Sequence, residues 1–367
     1  MKTSEYNTEY GRERSENLLK RSKRYVGLIL LVSLLIVGIL LCITGVVYYN
    51  SKLDLINYDD GSRAIDTSTS YAVNNDELEI GDLPDAPEGE DGTIEILEGD
   101  IYSDSNVMNI LLLGTDERTA EFSDNARADA IMVLSLNTKD HTMKLVSIER
   151  GIGVPIPGRN DDWITHTFRY GGAALTLQTV RDCFKLDVER YVRVNFNFMS
   201  KAIDTIGGVD IELTQAEAAH LNTTKQEYYG SGSDIQTVTA GWNHLNGDTA
   251  TAYARIRKID SDWSRIERQR TVVQAAINQV KNLDIVTLNN LADELLPMIQ
   301  TNLTKSEITS LLLEMPGFIS AGAQLEQMTI PTYDTCWNSV GVDGRKMIGV
   351  DFEANAQILK EFFYGVE

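Results

Sequence analysis

The chain has 367 residues, enough for one or two domains with a sizeable core. Its 54 acidic and 33 basic residues give a formal net charge of −21, which argues against the broad basic footprint of a nucleic-acid-binding protein. The charge is uneven: residues 51–105 hold sixteen acidic and two basic side chains, whereas residues 1–50 hold seven basic and four acidic ones.

Residues 1–24 read as a short tail ending in the basic run "KRSKR" (Lys20–Arg24). Val26–Tyr49, "VGLILLVSLLIVGILLCITGVVYY", has no charged residue over 24 positions. That length spans a hydrocarbon core about 30 Å thick at about 1.5 Å per residue. Tyr25, Tyr48 and Tyr49 sit where an aromatic belt belongs, and the basic flank places the N-terminus in the cytoplasm and the rest outside the cell. A cleaved signal peptide has a shorter apolar core, about 7–15 residues, and a small-residue cleavage site that is missing here. Residues 25–49 are therefore predicted to be a single-pass signal anchor.

Residues 50–105, rich in Asp, Glu, Gly, Ser and Thr, read as an acidic extracellular tether with a root-mean-square reach of about 40 Å. Thr93–Ile101 alternates enough for a short strand at its end. From residue 106 to 367 the pattern is that of a folded domain. Asn109–Thr115, Ala130–Asn137, Met143–Glu149, Arg190–Phe196 and Val209–Leu213 read as strands, with Gln324–Pro331 and Lys346–Val350 later. Helices are predicted over Ala173–Lys185, Phe198–Ile206, a short stretch capped by Thr214, Asn246–Arg255, Ser264–Lys281 with Ser264 as cap, and Ala354–Phe363. Residues 223–240 read as a loop. This order predicts an α/β domain: a three-layer α/β/α arrangement with a mixed central sheet. Cys183 and Cys336 are compatible with one disulfide or with two buried thiols.

The chemistry concentrates in charged residues beside strand ends. "ARIRKIDSDWSRIERQR" (Ala254–Arg270) packs five arginines and a lysine into seventeen residues. Ion pairing with Asp260, Asp262 and Glu267 is one reading; an anion clamp is the other. Arg265, Arg268 and Gln269 share a helical face. Upstream, "GTDER" (Gly114–Arg118) and "RADA" (Arg127–Ala130) place Asp116, Arg118, Arg127 and Asp129 at neighbouring strand ends, and Arg150 ends the third strand. Carboxylates suit a hard Mg²⁺, and guanidinium forks suit phosphate oxygens. The four histidines show no zinc spacing, and no Walker loop, dinucleotide fingerprint or nucleophile elbow appears.

The motifs "NILLLGTDER", "RADAIMVLSLN", "LVSIERGIGVPIPG", "ITHTFRYGGAALTLQTV", "YVRVNFNFMSKAIDTIGGVDIEL" and "LNGDTATAYARIRKIDSDWSRIERQR" together resemble, in order and spacing, the LytR-CpsA-Psr family. The resemblance implies an enzyme of the Gram-positive envelope. Such an enzyme transfers a glycopolymer, teichoic acid or capsular polysaccharide, from a polyprenyl-pyrophosphate carrier to peptidoglycan. The acceptor is the C6 hydroxyl of N-acetylmuramic acid, and the product is a phosphodiester. By motif match, Asp116 and Asp129 are implied as Mg²⁺ carboxylates. Arg118, Arg127, Arg150, Arg255 and Arg257 are implied at the pyrophosphate, with Arg265 and Gln269 on the same polar face. Asp129, Asp262, Arg127 and Arg255 are the implied catalytic set, with Asp262 or Asp129 as proton acceptor. Leu175–Phe184, Phe196–Ile206 and Leu288–Ile299 are candidates to line a prenyl tunnel, or simply core. Two departures stand out: Glu149-Arg150-Gly151 replaces a Pro-Arg-Asp pattern, and Thr165 replaces an Asn before His166. A lipid pyrophosphatase and a non-catalytic binder of lipid-linked glycan are the alternative readings.

Overall fold

The computed structural model describes residues 44–366 apart from 70, 72, 74–82, 88–93, 95, 118–120, 225–232, 257–258 and 281–282. The chain divides into two compact units after Leu55, and the fold described here is that of the second, Ile56–Glu367. The tail and most of the apolar span, residues 1–43, lie outside the described residues. Among the described helices none is long and apolar enough to cross a membrane.

In chain order the strands are β1 (Asn57–Tyr58), β2 (Val107–Thr115), β3 (Ala128–Asn137), β4 (Thr142–Ile148), β5 (Gly153–Val154), β6 (Asp162–Trp163), β7 (Arg190–Asn195), β8 (Val209–Leu213), β9 (Gly241–Leu245), β10 (Gln300–Thr301), β11 (Leu325–Ile330), β12 (Cys336–Val340) and β13 (Lys346–Val350). The helices are α1 (Ile164–Phe184), α2 (Phe196–Thr205), α3 (Gln215–Thr223), α4 (Gly247–Ala254), α5 (Asp262–Val280), α6 (Ile285–Leu295), α7 (Lys305–Ser320) and α8 (Phe352–Tyr364).

Seven strands form one mixed sheet in the order β1-β10-β7-β2-β3-β4-β11. β2, β3 and β4 are antiparallel neighbours, while β2 pairs with β7, and β4 with β11, in parallel. Leu111, Val133 and Val146 are in register on one face, as are Leu113, Ile131 and Ile148. These six join Val180, Phe184, Leu359 and Phe363 of α1 and α8 in one core. Ile110, Met132 and Leu145 point the other way and are buried too. Both faces are covered, which is why these strands read as continuous apolar runs rather than as alternation. A second core lies among α2, α4, α5 and the β8–β9 hairpin, with Ile203, Ile211, Leu245, Ala250 and Val272 in it.

The stretch expected as a tether is partly built into the domain. β1 pairs with β10. Ala174 N–H donates to the Gly61 carbonyl at 3.0 Å, and the Arg63 guanidinium donates to the carbonyls of Phe168 and Arg169. Backbone and one arginine make these ties, so an apolar-pattern reading does not see them. In the expected strand Thr93–Ile101 the described residues are irregular, and Tyr102 alone bridges Leu186.

α1 starts at Ile164, ahead of the predicted Ala173, because two helical stretches join across Gly172 (φ 69°, ψ −163°). A Cβ there would stand 3.1 Å from the Gly61 oxygen. α5 begins at Asp262 rather than after a Ser264 cap. Of the two cysteine readings, the thiols hold: Cys183 and Cys336 are both free and buried. Burial pushes them up to about 12 and about 11, respectively.

Candidate active site

The register of the central strands brings Asp116, Arg127, Asp129 and Arg150 to one end of β2, β3 and β4. At the β2 terminus the pairing with β3 shifts between Gly114 and Thr115. Asp116 N–H then donates to the Arg127 carbonyl at 3.1 Å. The Asp116 carboxylate answers across the strands: Oδ1 accepts the Arg127 N–H at 2.9 Å and Oδ2 accepts its Nε–H at 3.1 Å.

Beside this pair lies a buried charge cluster. Arg150, just past β4, is 1% exposed. Its Nη1 donates to Asp129 Oδ1, and its Nε and Nη2 donate to the two oxygens of Asp262, each at 3.4 Å. Arg265 Nη2 stands 3.3 Å from Asp262 Oδ1. Asp262 opens α5, where a carboxylate also complements the helix dipole. Burying ions costs several kcal/mol each unless partners compensate. Here burial works to lower the Arg150 pKa, but Asp129, Asp262 and Glu149 outweigh it and hold the guanidinium above its ordinary value.

Thr165 fixes this cluster to the helix that follows. Its Oγ1 donates to the Ala128 carbonyl at 2.8 Å, and its N–H donates to the Arg150 carbonyl at 3.3 Å. Thus the residue that departs from the family pattern ties α1 to β3 and to the arginine. Next to it, Asp162 gathers His166 (2.9 Å), the Tyr170 hydroxyl (2.6 Å) and Arg345 (3.0 Å) into a buried polar knot.

The other predicted residues divide. Arg255 follows α4 with its guanidinium 4.3 Å above the Phe196 ring, a cation–π contact. Gln269 is buried on α5. Arg118 and Arg257 lie outside the described residues. Arg268 does not share a role with Arg265. It donates to Glu217 at 2.7 Å and to Asp260, tying α5 to α3. The ion-pair reading of the arginine-rich segment holds for Asp260 and Asp262, which pair with Arg268 and Arg265, and Asp262 also meets Arg150.

Two residues escaped the sequence reading. Glu149 is fully buried beside Arg150; its Oε1 accepts the Gly151 N–H at 3.4 Å, and its Oε2 has no hydrogen-bond partner among the described residues. Burial, then Asp262, push its carboxyl up to about 7, against the pull of Arg265 and Arg150. Its replacement of a motif Pro was the available signal. Arg193 on β7 is buried against Glu117, lies with its guanidinium 4.6 Å from the centroids of the Phe122 and Phe168 rings, and donates to the Ser123 carbonyl at 2.8 Å. It braces the loop that carries Asp116.

Mg²⁺ takes one or two carboxylates and completes its octahedron with water and phosphate oxygens. Asp116 and Asp129, on adjacent strand ends, match that donor set. Among the described residues no three His, Cys, Asp or Glu side chains gather into a cage. The residues fit an ion shared with a phosphate substrate rather than one held by the protein alone.

The central mixed sheet thus carries a buried guanidinium–carboxylate cluster at one end of its strands. The chain belongs to the LytR_cpsA_psr family, which matches residues 82–362. It is 34% identical over 226 residues to the polyisoprenyl-teichoic acid–peptidoglycan teichoic acid transferase TagU of Oceanobacillus iheyensis, covering 59% of this chain and 65% of that one. The corresponding TagT of Bacillus subtilis is 31% identical over 249 residues, covering 67% and 74%. A solved structure, TagT bound to LI-WTA, superposes with a TM-score of 0.56 at 26% identity, covering 71% of this chain and 92% of that one.

Proposed function

We propose that the protein is a membrane-anchored phosphotransferase that moves a teichoic-acid-type or capsular glycopolymer from a polyprenyl-pyrophosphate carrier to peptidoglycan. The observation that supports this reading most directly is the buried Arg150, bridged to Asp129 and Asp262 beside the Asp116–Arg127 pair. Phosphoryl transfer asks a protein mainly for positioning and charge neutralisation, and relatives named as teichoic acid transferases share the family.

In this reading Arg118, Arg127, Arg150, Arg255, Arg257 and Arg265 neutralise the pyrophosphate, with Gln269 on the same wall. The acceptor is the C6 hydroxyl of N-acetylmuramic acid. Its oxygen attacks the glycan-bearing phosphorus, the bond from that phosphorus to the bridging oxygen breaks, and polyprenyl phosphate leaves with the electron pair. Asp262 takes the hydroxyl proton, with Asp129 as the other candidate. Mg²⁺, held by Asp116 and Asp129, would neutralise phosphate charge when bound. The arginines orient the bridging oxygen, and Thr165 keeps Arg150 in place. Residues 25–49 anchor the chain with its N-terminus in the cytoplasm, so the site faces the cell wall.

Product analysis with and without uncross-linked glycan strands tests the reading. Transfer requires a glycan phosphodiester that appears only with acceptor and Mg²⁺. Release of polyprenyl phosphate at the same rate without acceptor would make the protein a pyrophosphatase instead.

A further inference from the structure

Beside the site, α5, the β8–β9 hairpin and the edge strand β11 enclose an open groove of about 580 Å³. Its walls are unusual in chemistry. Trp242 is 71% exposed on the hairpin. Facing it are the side-chain amides of Gln274, Asn278 and Gln327. They are already ordered: Gln327 donates to Gln274 at 3.0 Å, and Gln274 donates to Asn278 at 3.1 Å. The charged residues of the lining are Arg270 and Asp210, so the groove is close to neutral. Asp210 is engaged by His244 at 2.8 Å, and Arg270 Nε is buried without a hydrogen-bond partner among the described residues.

The groove and the site draw on the same two elements, α5 and β11. Arg270 directly follows Gln269 on α5, the helix whose first turns carry Asp262 and Arg265. Gln327 lies three residues before Ile330, whose carbonyl accepts the Glu149 N–H at 2.9 Å. That separation is about 10 Å along a strand.

We propose that this groove binds the glycan strand of peptidoglycan, the acceptor. The inference rests on the transfer reading above. A flat exposed indole offers a platform for the C–H face of a pyranose ring, as aromatic faces offer one to other polarised partners. Ordered amides match the hydroxyl and N-acetyl groups of amino sugars, donor to acceptor and back. Arg270 lines the groove and brings a cation to meet a carboxylate on the lactyl or peptide substituent. A polyanionic polymer fits less well, because one cation against one carboxylate in a domain of acidic balance gives it no electrostatic gain.

The test uses full-length protein in detergent micelles titrated with uncross-linked peptidoglycan glycan strands, read by tryptophan fluorescence and calorimetry, with purified wall teichoic acid as the comparison polymer. Saturable strand binding is expected, weakened about tenfold or more in Trp242→Ala and in Gln274→Ala, as loss of one aromatic or amide contact implies. In the transfer assay the same variants raise the acceptor KM and leave the KM for the lipid-linked donor in place. Strand binding unchanged by both variants, or teichoic acid occupying the groove more tightly than the strands, overturns the proposal. Strand binding that depends on Trp242 in a protein without transfer would sink the transferase reading and leave the groove. Transfer whose acceptor KM ignores both variants would do the reverse.

Discussion

The guanidinium of Arg150 joins the strand end of Asp129 to the helix start of Asp262, at 3.4 Å on each side. One arginine thus fixes the distance between the two carboxylates most suited to chemistry. Arg150→Ala removes the positive charge and leaves those carboxylates buried without it. A loss of about 3–5 kcal/mol is expected, in the range found when a buried ion pair is broken from one side. Urea denaturation of the wild type and variant measures it.

Glu149 makes stability fall as pH rises. Its folded-state pKa of about 7 lies above the ordinary carboxyl value of 4.5, so the folded chain holds a proton that the unfolded chain has released. The unfolded state binds fewer protons between those values, and stability therefore declines from about pH 4.5 to about pH 7. The groups facing it are Asp262 and Arg265 from α5, Arg150 beside it and the Cys336 thiol from β12. Glu149→Gln keeps the shape and removes the titration. Its melting temperature should match the wild type near pH 4.5 and exceed it at pH 8, by about 2–4 °C for each kcal/mol regained. A wild-type advantage at pH 8 would contradict the assignment.

Arg268 is expected to separate from Arg265 in experiment. Arg268→Met strands Glu217 and Asp260 and should lower stability by a few kcal/mol, about the cost of breaking a buried pair. The folded fraction should still turn over. Arg265→Met, which uncovers Asp262, should abolish turnover. Activity normalised to the folded fraction distinguishes them.

Gly172 sits where an L-residue is strained and where its Cβ would press on the Gly61 oxygen. Gly172→Ala should cost about 1–3 kcal/mol. It should also raise proteolysis of the 57–71 segment, because that strap is anchored at this kink.

The long central strands are legible because β2, β3 and β4 are covered on both faces and so are mostly apolar. β1 and β10, two residues each, have no period to read, and the tether assignment missed Gly61 and Arg63 because their ties run through carbonyls. Asp116, Asp129 and Arg150 are singled out by their places at strand ends, and Asp262 and Arg265 by helix position and motif. The structure joins Asp129, Arg150, Asp262 and Arg265 in one cluster beside the Asp116–Arg127 pair. Arg268 was grouped with Arg265 because i, i+3 neighbours share a face; a helical wheel does not show that Glu217 waits on one side of that face. Arg193 carries no motif signal; it falls on the buried face of β7 with Tyr191 and Asn195, where Glu117 pairs with it.

The most direct test of the central claim is a single-turnover transfer measurement on the full chain with Mg²⁺, a lipid-pyrophosphate glycan and glycan strands, comparing the wild type with Asp262→Asn and Arg268→Met. The cluster account predicts transfer by the wild type and by folded Arg268→Met, with Asp262→Asn slowed about 100-fold or more, as expected for loss of a positioned proton acceptor. Asp262→Asn turning over at the wild-type rate would contradict it.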